Sequence, residues 1–208
     1  MARTARVKRK TNETDISIEI NLDGSGMADI KTPVPFLSHM LANFARHGLF
    51  DLKVLAKGDT EVDLHHTVED IGITLGEAVK KALGEKTGIK RCASSTVPMM
   101  DSLSTVVVDI SGRPYLQVNA TKESRGKKIL SVDMKKGGME EAFDLGLLKE
   151  FLKAFSNASG ADLHVLIHYG ADLHHSIESI FKAFGRALAG AVEKDKRIKG
   201  VLSTKGLL

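Results

Sequence analysis

Asp63-Leu64-His65-His66-Thr67-Val68-Glu69 and Asp172-Leu173-His174-His175-Ser176-Ile177-Glu178 are two copies of one phrase, offset by 109 residues, and they hold four of the chain's eight histidines. In each copy the first His and the Glu stand four apart, so on a helix they share a face, one turn from each other. The second His projects about 100° around the same axis. One helical turn therefore offers metal ligands in two directions, and the chain builds that turn twice. Imidazole with carboxylate suits Mn, Fe, Co, Ni or Zn and does not suit Ca. Cys92 is the single cysteine, so a closed thiolate zinc site is not on offer. One copy alone would read as a helix start with surface histidines, but two make coincidence a poor account. Each phrase supplies three ligands, and further donors are expected from His39, on a helix, and His164, on a strand. His164 alternates with Leu163 and Val165 and so faces away from them. His47 and His168 read as structural.

The elements that must position these ligands are duplicated too. Ile16–Leu22 runs into Asp23-Gly24, and Val106–Ile110 into Ser111-Gly112, strand patterns closed by turn residues. A short second strand follows near Met27–Lys31 in one half and Tyr115–Ala120 in the other. Phe36, Leu37, Met40, Leu41 and Phe44 then sit at helical spacing, as do Leu147, Leu148, Phe151, Leu152 and Phe155. Another strand, Asp51–Leu55 or Asp162–Leu166, leads to the helix that each His-His phrase opens. Asp63 and Asp172 are placed as N-caps, and these helices reach about Leu83 and Glu193. The pattern predicts an α+β fold of two duplicated strand–strand–helix–strand–helix halves. Packing them helix to helix between two sheets buries the apolar face of each. Gly84–Pro98 reads as the connector, and Lys122–Gly138 as an exposed loop.

At 208 residues, 42% hydrophobic and 27% charged, the chain has the composition of a soluble globular protein with a full core. No apolar run approaches a membrane span, and Met1–Lys10 lacks the apolar centre of a signal peptide. With the lone Cys92, this points to a cytoplasmic location and no membrane partner. Net charge is +4, from 30 basic against 26 acidic residues. The basic cluster in the first ten residues reads as a solvated arm rather than a nucleic-acid-binding tail. Two tyrosines and no tryptophan leave no stacking platform, so no nucleic-acid partner is expected. The modest positive field suits an anionic small molecule.

Several separate segments, in order, carry a resemblance. They are Asn12-Glu13-Thr14, Asn21–Gly24, Phe36–Leu41, His47–Asp51, His65–Asp70, Ser111–Pro114, His174–Glu178 with Phe181–Phe184, and Ser203–Gly206. Over nearly its whole length the chain resembles the imidazoleglycerol-phosphate dehydratase family of histidine biosynthesis. The resemblance implies a single dehydratase domain over residues 1–208. Its pseudo-repeats would span about 10–88 and 98–195, in a two-layer form also met in ribosomal proteins, with a C-terminal substrate-binding tail. It further implies two Mn²⁺ per active site, held by His39, His65, His66, Glu69, His164, His174, His175 and Glu178. The expected division sets His65 and Glu69 with His164 and His175, and His66 with His39, His174 and Glu178.

The implied reaction removes water from an imidazole bearing a glycerol phosphate. Metal-bound imidazolate expels the side-chain hydroxyl through a diazafulvene-like intermediate, and loss of a C–H proton then gives imidazole acetol phosphate. Glu13 is implied as the catalytic acid/base in contact with substrate. Arg91, Arg113, Ser203, Thr204 and Lys205 are implied as phosphate-binding residues. Trimers assembling into a twenty-four-subunit shell are expected, with active sites at subunit contacts. The family commonly has an acidic pair where this chain reads Met100-Asp101, so that Met100 stands in place of the first acid. If that carboxylate orients a catalytic group, either a slower enzyme or use of Asp101 in its stead is expected. Three other readings compete: a dimetal phosphate-ester hydrolase, a metal-assembled shell without turnover, and an RNA-binding module. Free phosphate release would mark the first, absence of turnover the second, and salt-sensitive RNA binding the third.

Overall fold

A computed structural model describes residues 3–120 and 143–207. The first half runs β1 (Thr4–Lys10), β2 (Thr14–Asn21), β3 (Ala28–Lys31), α1 (Pro35–Gly48), β4 (Asp51–Gly58) and α2 (His65–Leu83). The second runs β5 (Cys92–Met99), β6 (Ser102–Asp109), β7 (Tyr115–Ala120), α3 (Leu145–Ser159), β8 (Asp162–Tyr169) and α4 (Leu173–Val192). The sheets have the same topology, β1-β2-β4-β3 and β5-β6-β8-β7, with β3 and β7 the parallel members. The helices lie between the sheets, so the fold is the duplicated α+β arrangement expected.

Each half has one more strand than its pattern suggested. The basic arm is the edge strand β1, paired with β2 from Thr4↔Asn21 to Lys10↔Asp15. Ala5 and Val7 pack on the core, while Arg6 faces outward to Glu19, Nε–Oε1 3.3 Å. Two small apolar residues among lysines and arginines are too faint an alternation to announce a strand. The expected connector likewise holds edge strand β5, where Ala93 and Val97 turn to the core. Pro98 is tolerated there because an edge strand leaves one row of amides unpaired. The expected loop Lys122–Gly138 lies outside the described residues.

Inward positions of the strands form the two walls of the core: Ile16, Ile18 and Ile20 with Leu52 and Val54, and Val106 and Val108 with Leu163 and Val165. The helices pair across the halves, α2 with α3 and α1 with α4. At both crossings backbone meets backbone at a glycine. A Cβ on Gly76 would stand 2.7 Å from the Phe155 carbonyl oxygen, and one on Gly185 2.3 Å from that of Phe44. Gly76 and Gly185 carry the same 109-residue offset as the His-His phrases.

The helix starts differ in detail. Asp172 caps α4 as expected, its Oδ1 accepting from the His175 amide at 2.8 Å. Asp63 falls one residue short, because Leu64 occupies the cap position of α2. The Asp63 carboxylate instead accepts from the His65 amide and from His65 Nδ1, the latter at 2.8 Å.

Ala is the better helix former, but a carbonyl in a packed helix cannot retreat. Gly76→Ala and Gly185→Ala are each expected to lose about 1–3 kcal/mol net through overpacking. Denaturant midpoints at unchanged slope would measure this.

Candidate active site

Burial of Ile177 and Ile180 against the core turns the other faces of the first turns of α4 outward. His174 and Glu178 share one of those faces and meet His39 of α1 there. His174 Nε2 is 3.1 Å and His39 Nε2 3.4 Å from Glu178 Oε2. Lys182 takes the other carboxylate oxygen, Nζ–Oε1 2.6 Å, which aims Oε2 at the imidazoles. Burial is the largest influence on Glu178 and opposes its ionisation. Lys182, His174 and His39 together outweigh it and hold the carboxyl below its ordinary pKa. Ligand atoms of His39, His174 and Glu178 lie within 4.8 Å of one another, which fits a shared cation.

A second group stands at the start of α2. His66, Asp59 and Glu13 also place ligand atoms within 4.8 Å of one another. Within the chain His66 therefore stands beside Glu13, apart from His39, His174 and Glu178. The reason is that the second His of each phrase points toward the hairpin of its own half. His66 Nδ1 lies 3.2 Å from Asp59 Oδ2 and 3.7 Å from Glu13 Oε2. The Asp59 hydrogen bond, followed by the charges of Glu13, Asp59 and Asp63, raises the His66 pKa against the opposing effect of desolvation.

His65, Glu69, His164 and His175 enter neither group. Glu69 is exposed where its counterpart Glu178 is buried. The α3 position that matches His39 is Glu150, so the first phrase has no third imidazole of the same kind. His164 lies on the outer face of the second sheet, since Leu163, Val165 and Ile167 take the inner one. His175 is on the helix side, with Nδ1 2.7 Å from Asp101 Oδ1. That contact is the main cause of the lowered Asp101 pKa. His65, His66 and His175 thus each hold Nδ1 against a carboxylate, which in the neutral ring leaves the Nε2 lone pair free for a metal. Of the two histidines read as structural, His168 accepts or donates to Thr105 Oγ1 at 2.7 Å, and burial lowers the His47 pKa.

Arg91, Arg113, Ser203, Thr204 and Lys205 all line one cleft of about 820 Å³. Arg91 precedes β5, Arg113 follows β6 in a turn closed by Ser111 Oγ, and the tail brings the others. Asp109 grips Arg91 with both oxygens, at 2.7 and 2.9 Å, while Arg91 Nη1 holds the Leu202 carbonyl at 3.0 Å. Among the described residues neither Arg113 nor Lys205 is in an ion pair, so the cleft carries net positive charge.

Three residues that the sequence did not single out matter here. Asp59 had only its nearness to the His-His phrase as a signal. Asp109 and Asp162 close β6 and open β8, and their pairing becomes visible only in the register.

Residues 32–188 match the family model for imidazoleglycerol-phosphate dehydratase. The chain belongs to the imidazoleglycerol-phosphate dehydratase family. The enzyme of that name from Acetivibrio thermocellus is 53% identical over 208 residues, covering 100% of both chains. That of Syntrophus aciditrophicus is 52% identical over 206 residues, 99% of this chain and 98% of its own. The crystal structure of the Pyrococcus furiosus member matches with a TM-score of 0.78 at 37% identity, over 97% of this chain and 100% of that one. The Staphylococcus aureus enzyme gives 0.75 at 35% identity, over 92% and 99%. The chain is accordingly a hydro-lyase by family.

Met100 and Asp101 form the two-residue turn between β5 and β6, where Met99 pairs with Ser102. Met100 is 82% exposed at φ 48°, and Asp101 alone of the two reaches His175. A non-glycine residue there is strained, and Asn tolerates it better. Met100→Asn should gain about 1 kcal/mol in thermal or denaturant unfolding. Met100→Asp should leave metal content and kcat unchanged, because Asp101 already fills the contact.

Proposed function

We propose that this chain dehydrates imidazoleglycerol phosphate to imidazole acetol phosphate, a step of histidine biosynthesis, with two Mn²⁺ per active site. The observation that carries the reading is the outer face of the second sheet. Asp109 and Asp162 are direct partners across β6 and β8, and partners point to the same face. Asp109 holds Arg91 of the anion cleft, and Asp162 Oδ1 lies 3.2 Å from His164 Nε2. Phosphate recognition and an imidazole ligand are thus neighbours on one surface, as a substrate with phosphate at one end and an imidazole ring at the other requires. Asp162 Oδ1 is also a buried oxygen without a hydrogen bond of normal geometry, as expected beside a donor set that still has a cation to receive.

The donors fit the proposed metals. Three imidazoles hold Nδ1 on carboxylates, Glu178 is ionised and aimed, and no thiolate competes. His39, His174 and Glu178 would hold one ion, with the remaining ligands of both ions coming from His65, His66, Glu69, His164 and His175. When bound, the metals act as Lewis acids on the ring nitrogens and lower the ring pKa. The chain's own residues do the rest. Arg113, Lys205 and Arg91 bind phosphate, with Ser203 and Thr204 adding hydroxyls. Glu13 receives the proton lost from the substrate side chain and supplies one to the departing hydroxyl. Its carboxylate is exposed and stands 3.7 Å from His66 Nδ1, close to the ligand group but outside hydrogen-bond distance.

His164 on the outer sheet face and His175 on the helix side cannot meet around one ion within a chain. This supports ligands shared between chains; the assembly proposed for them is trimers that build a twenty-four-subunit shell. The tail and both ligand groups would then face a neighbouring copy.

Mn²⁺-loaded protein given imidazoleglycerol phosphate should form the ketone without free phosphate, and lose that activity to a chelator. Phosphate release would instead favour a hydrolase, and silence from metal-replete protein a structural shell. Lys205→Ala should raise KM roughly thirtyfold, the effect of about 2 kcal/mol from one charged hydrogen bond, with metal content unchanged. His65→Ala should lose metal and sediment as a smaller particle; full metal and full size would remove it from the ligand set.

A further inference from the structure

Glu13 sits in the turn between β1 and β2, an exposed place for a group that must meet a reacting carbon chain at a fixed distance. We propose that Asp70, through Thr14 and Arg9, is the device that holds this turn, and that Thr14 and Asp70 are positioning residues for Glu13. The proposal rests on the acid/base reading of Glu13.

Asp70 follows Glu69 on α2 but points inward, and it is only 7% exposed. Both of its oxygens are engaged. Oδ2 accepts from Thr14 Oγ1 at 2.5 Å, and Oδ1 from Arg9 Nε at 2.6 Å. Arg9 reaches it because β1 alternates: Ala5, Val7 and Arg9 face the helices, while Arg6 and Lys8 face out. Thr14 is 4% exposed and opens β2. From Thr14 the turn is closed bond by bond. The Thr14 amide donates to Thr11 Oγ1 at 2.9 Å, as does the Glu13 amide at 3.1 Å. The Thr11 amide returns a bond to the Thr14 carbonyl at 2.9 Å, and the two threonine hydroxyls lie 3.2 Å apart. On its far side Glu13 accepts, through its carbonyl, from the Asp59 amide at 3.2 Å. The backbone of Glu13 is thus tied to the first strand, the helix and the segment that carries Asp59.

The second half supplies an internal control. Its counterpart of Asp70, at the 109-residue offset, is Ser179. Ser179 Oγ donates to Ser104 Oγ at 2.8 Å, a neutral contact that ties α4 to β6. That neutral contact suffices where the hairpin carries no acid/base group. In the first half the same place holds a carboxylate and a guanidinium. A partly buried ion pair gains little net stability over a neutral contact, but it does impose one direction. The charge therefore stands where orientation is needed, beneath Glu13.

The experiment is a kinetic cycle on the Mn²⁺-loaded, assembled enzyme, using Thr14→Val, Glu13→Gln and the pair. Thr14→Val keeps the side-chain shape and removes the hydroxyl that connects Asp70 to the turn. Glu13→Gln should lower kcat by about a hundredfold or more. Thr14→Val should lower kcat at least about tenfold with KM and metal content near wild type, since a displacement of about 1 Å can cost that much. In the Glu13→Gln background Thr14→Val should cost nothing further, because both changes remove one function. Thr14→Ser, which restores the hydroxyl, should recover kcat, which separates positioning from general damage to the fold. A Glu13→Gln enzyme at full kcat would overturn the acid/base reading and this proposal with it. With Glu13→Gln impaired, full kcat in Thr14→Val, or losses that multiply in the pair, would overturn the positioning role alone.

Discussion

Backbone-to-backbone contact between helices at Gly76 and Gly185 is the constraint on which the rest of the molecule depends. Each half has one apolar sheet face, and its two helices are buried only when the other half supplies the opposite wall. For four helices to fit between two sheets, α2 must close on α3 and α1 on α4. The glycines permit this by bringing a helix surface against the carbonyls of Phe155 and Phe44. Phe44 and Phe184, with ring centroids 5.0 Å apart, fill the space beside the second crossing. The first turns of α2 and α4 continue from that packing through the buried Val68 and Ile71 and the buried Ile177 and Ile180, which turn the two His-His phrases to the surface.

On that common frame the two halves have diverged in charge. The second phrase finds a third imidazole in His39, and a lysine turns its buried glutamate toward the pair. In the first half the position that matches His39 is Glu150, and Glu69 is exposed. The first phrase's second histidine is gripped by Asp59, so that Glu13 is not consumed in orienting it. In the second half Asp101 stands in the equivalent hairpin turn and does bind His175 directly. One scaffold thus sets a hairpin carboxylate in direct contact with a histidine in one half and at a longer distance from one in the other.

The anion cleft divides its cations in a similar way. Asp109 compensates Arg91, whose Nη1 also fastens the tail at the Leu202 carbonyl. Among the described residues Arg113 and Lys205 are in no ion pair and carry the remaining positive charge of the cleft. Bringing them together takes a turn after β6 and the C-terminal tail, so the cleft is braced by the Arg91–Asp109 ion pair and made positive by the other two cations.

The sequence by itself determined the ligand types, their spacing on a helical turn, the 109-residue duplication and the core positions of the longer elements. Those follow from local periodicity, which needs no partner to be read. Arg91, Arg113, Ser203, Thr204 and Lys205 were singled out only by the family resemblance, since a lone Arg113 or Lys205 is chemically an ordinary surface charge; the fold brings all five to one cleft. The edge strands β1 and β5 were not legible. Their alternation is diluted by lysine, serine and proline, and only pairing with β2 and β6 makes them strands. The tertiary structure alone decided that His66 stands with Glu13 and Asp59, that Asp109 meets Asp162, and that His164 and His175 lie on opposite sides of one sheet. Those facts depend on register and on which face each strand turns inward. A linear spacing cannot specify that, because burial is settled by what packs on the other side.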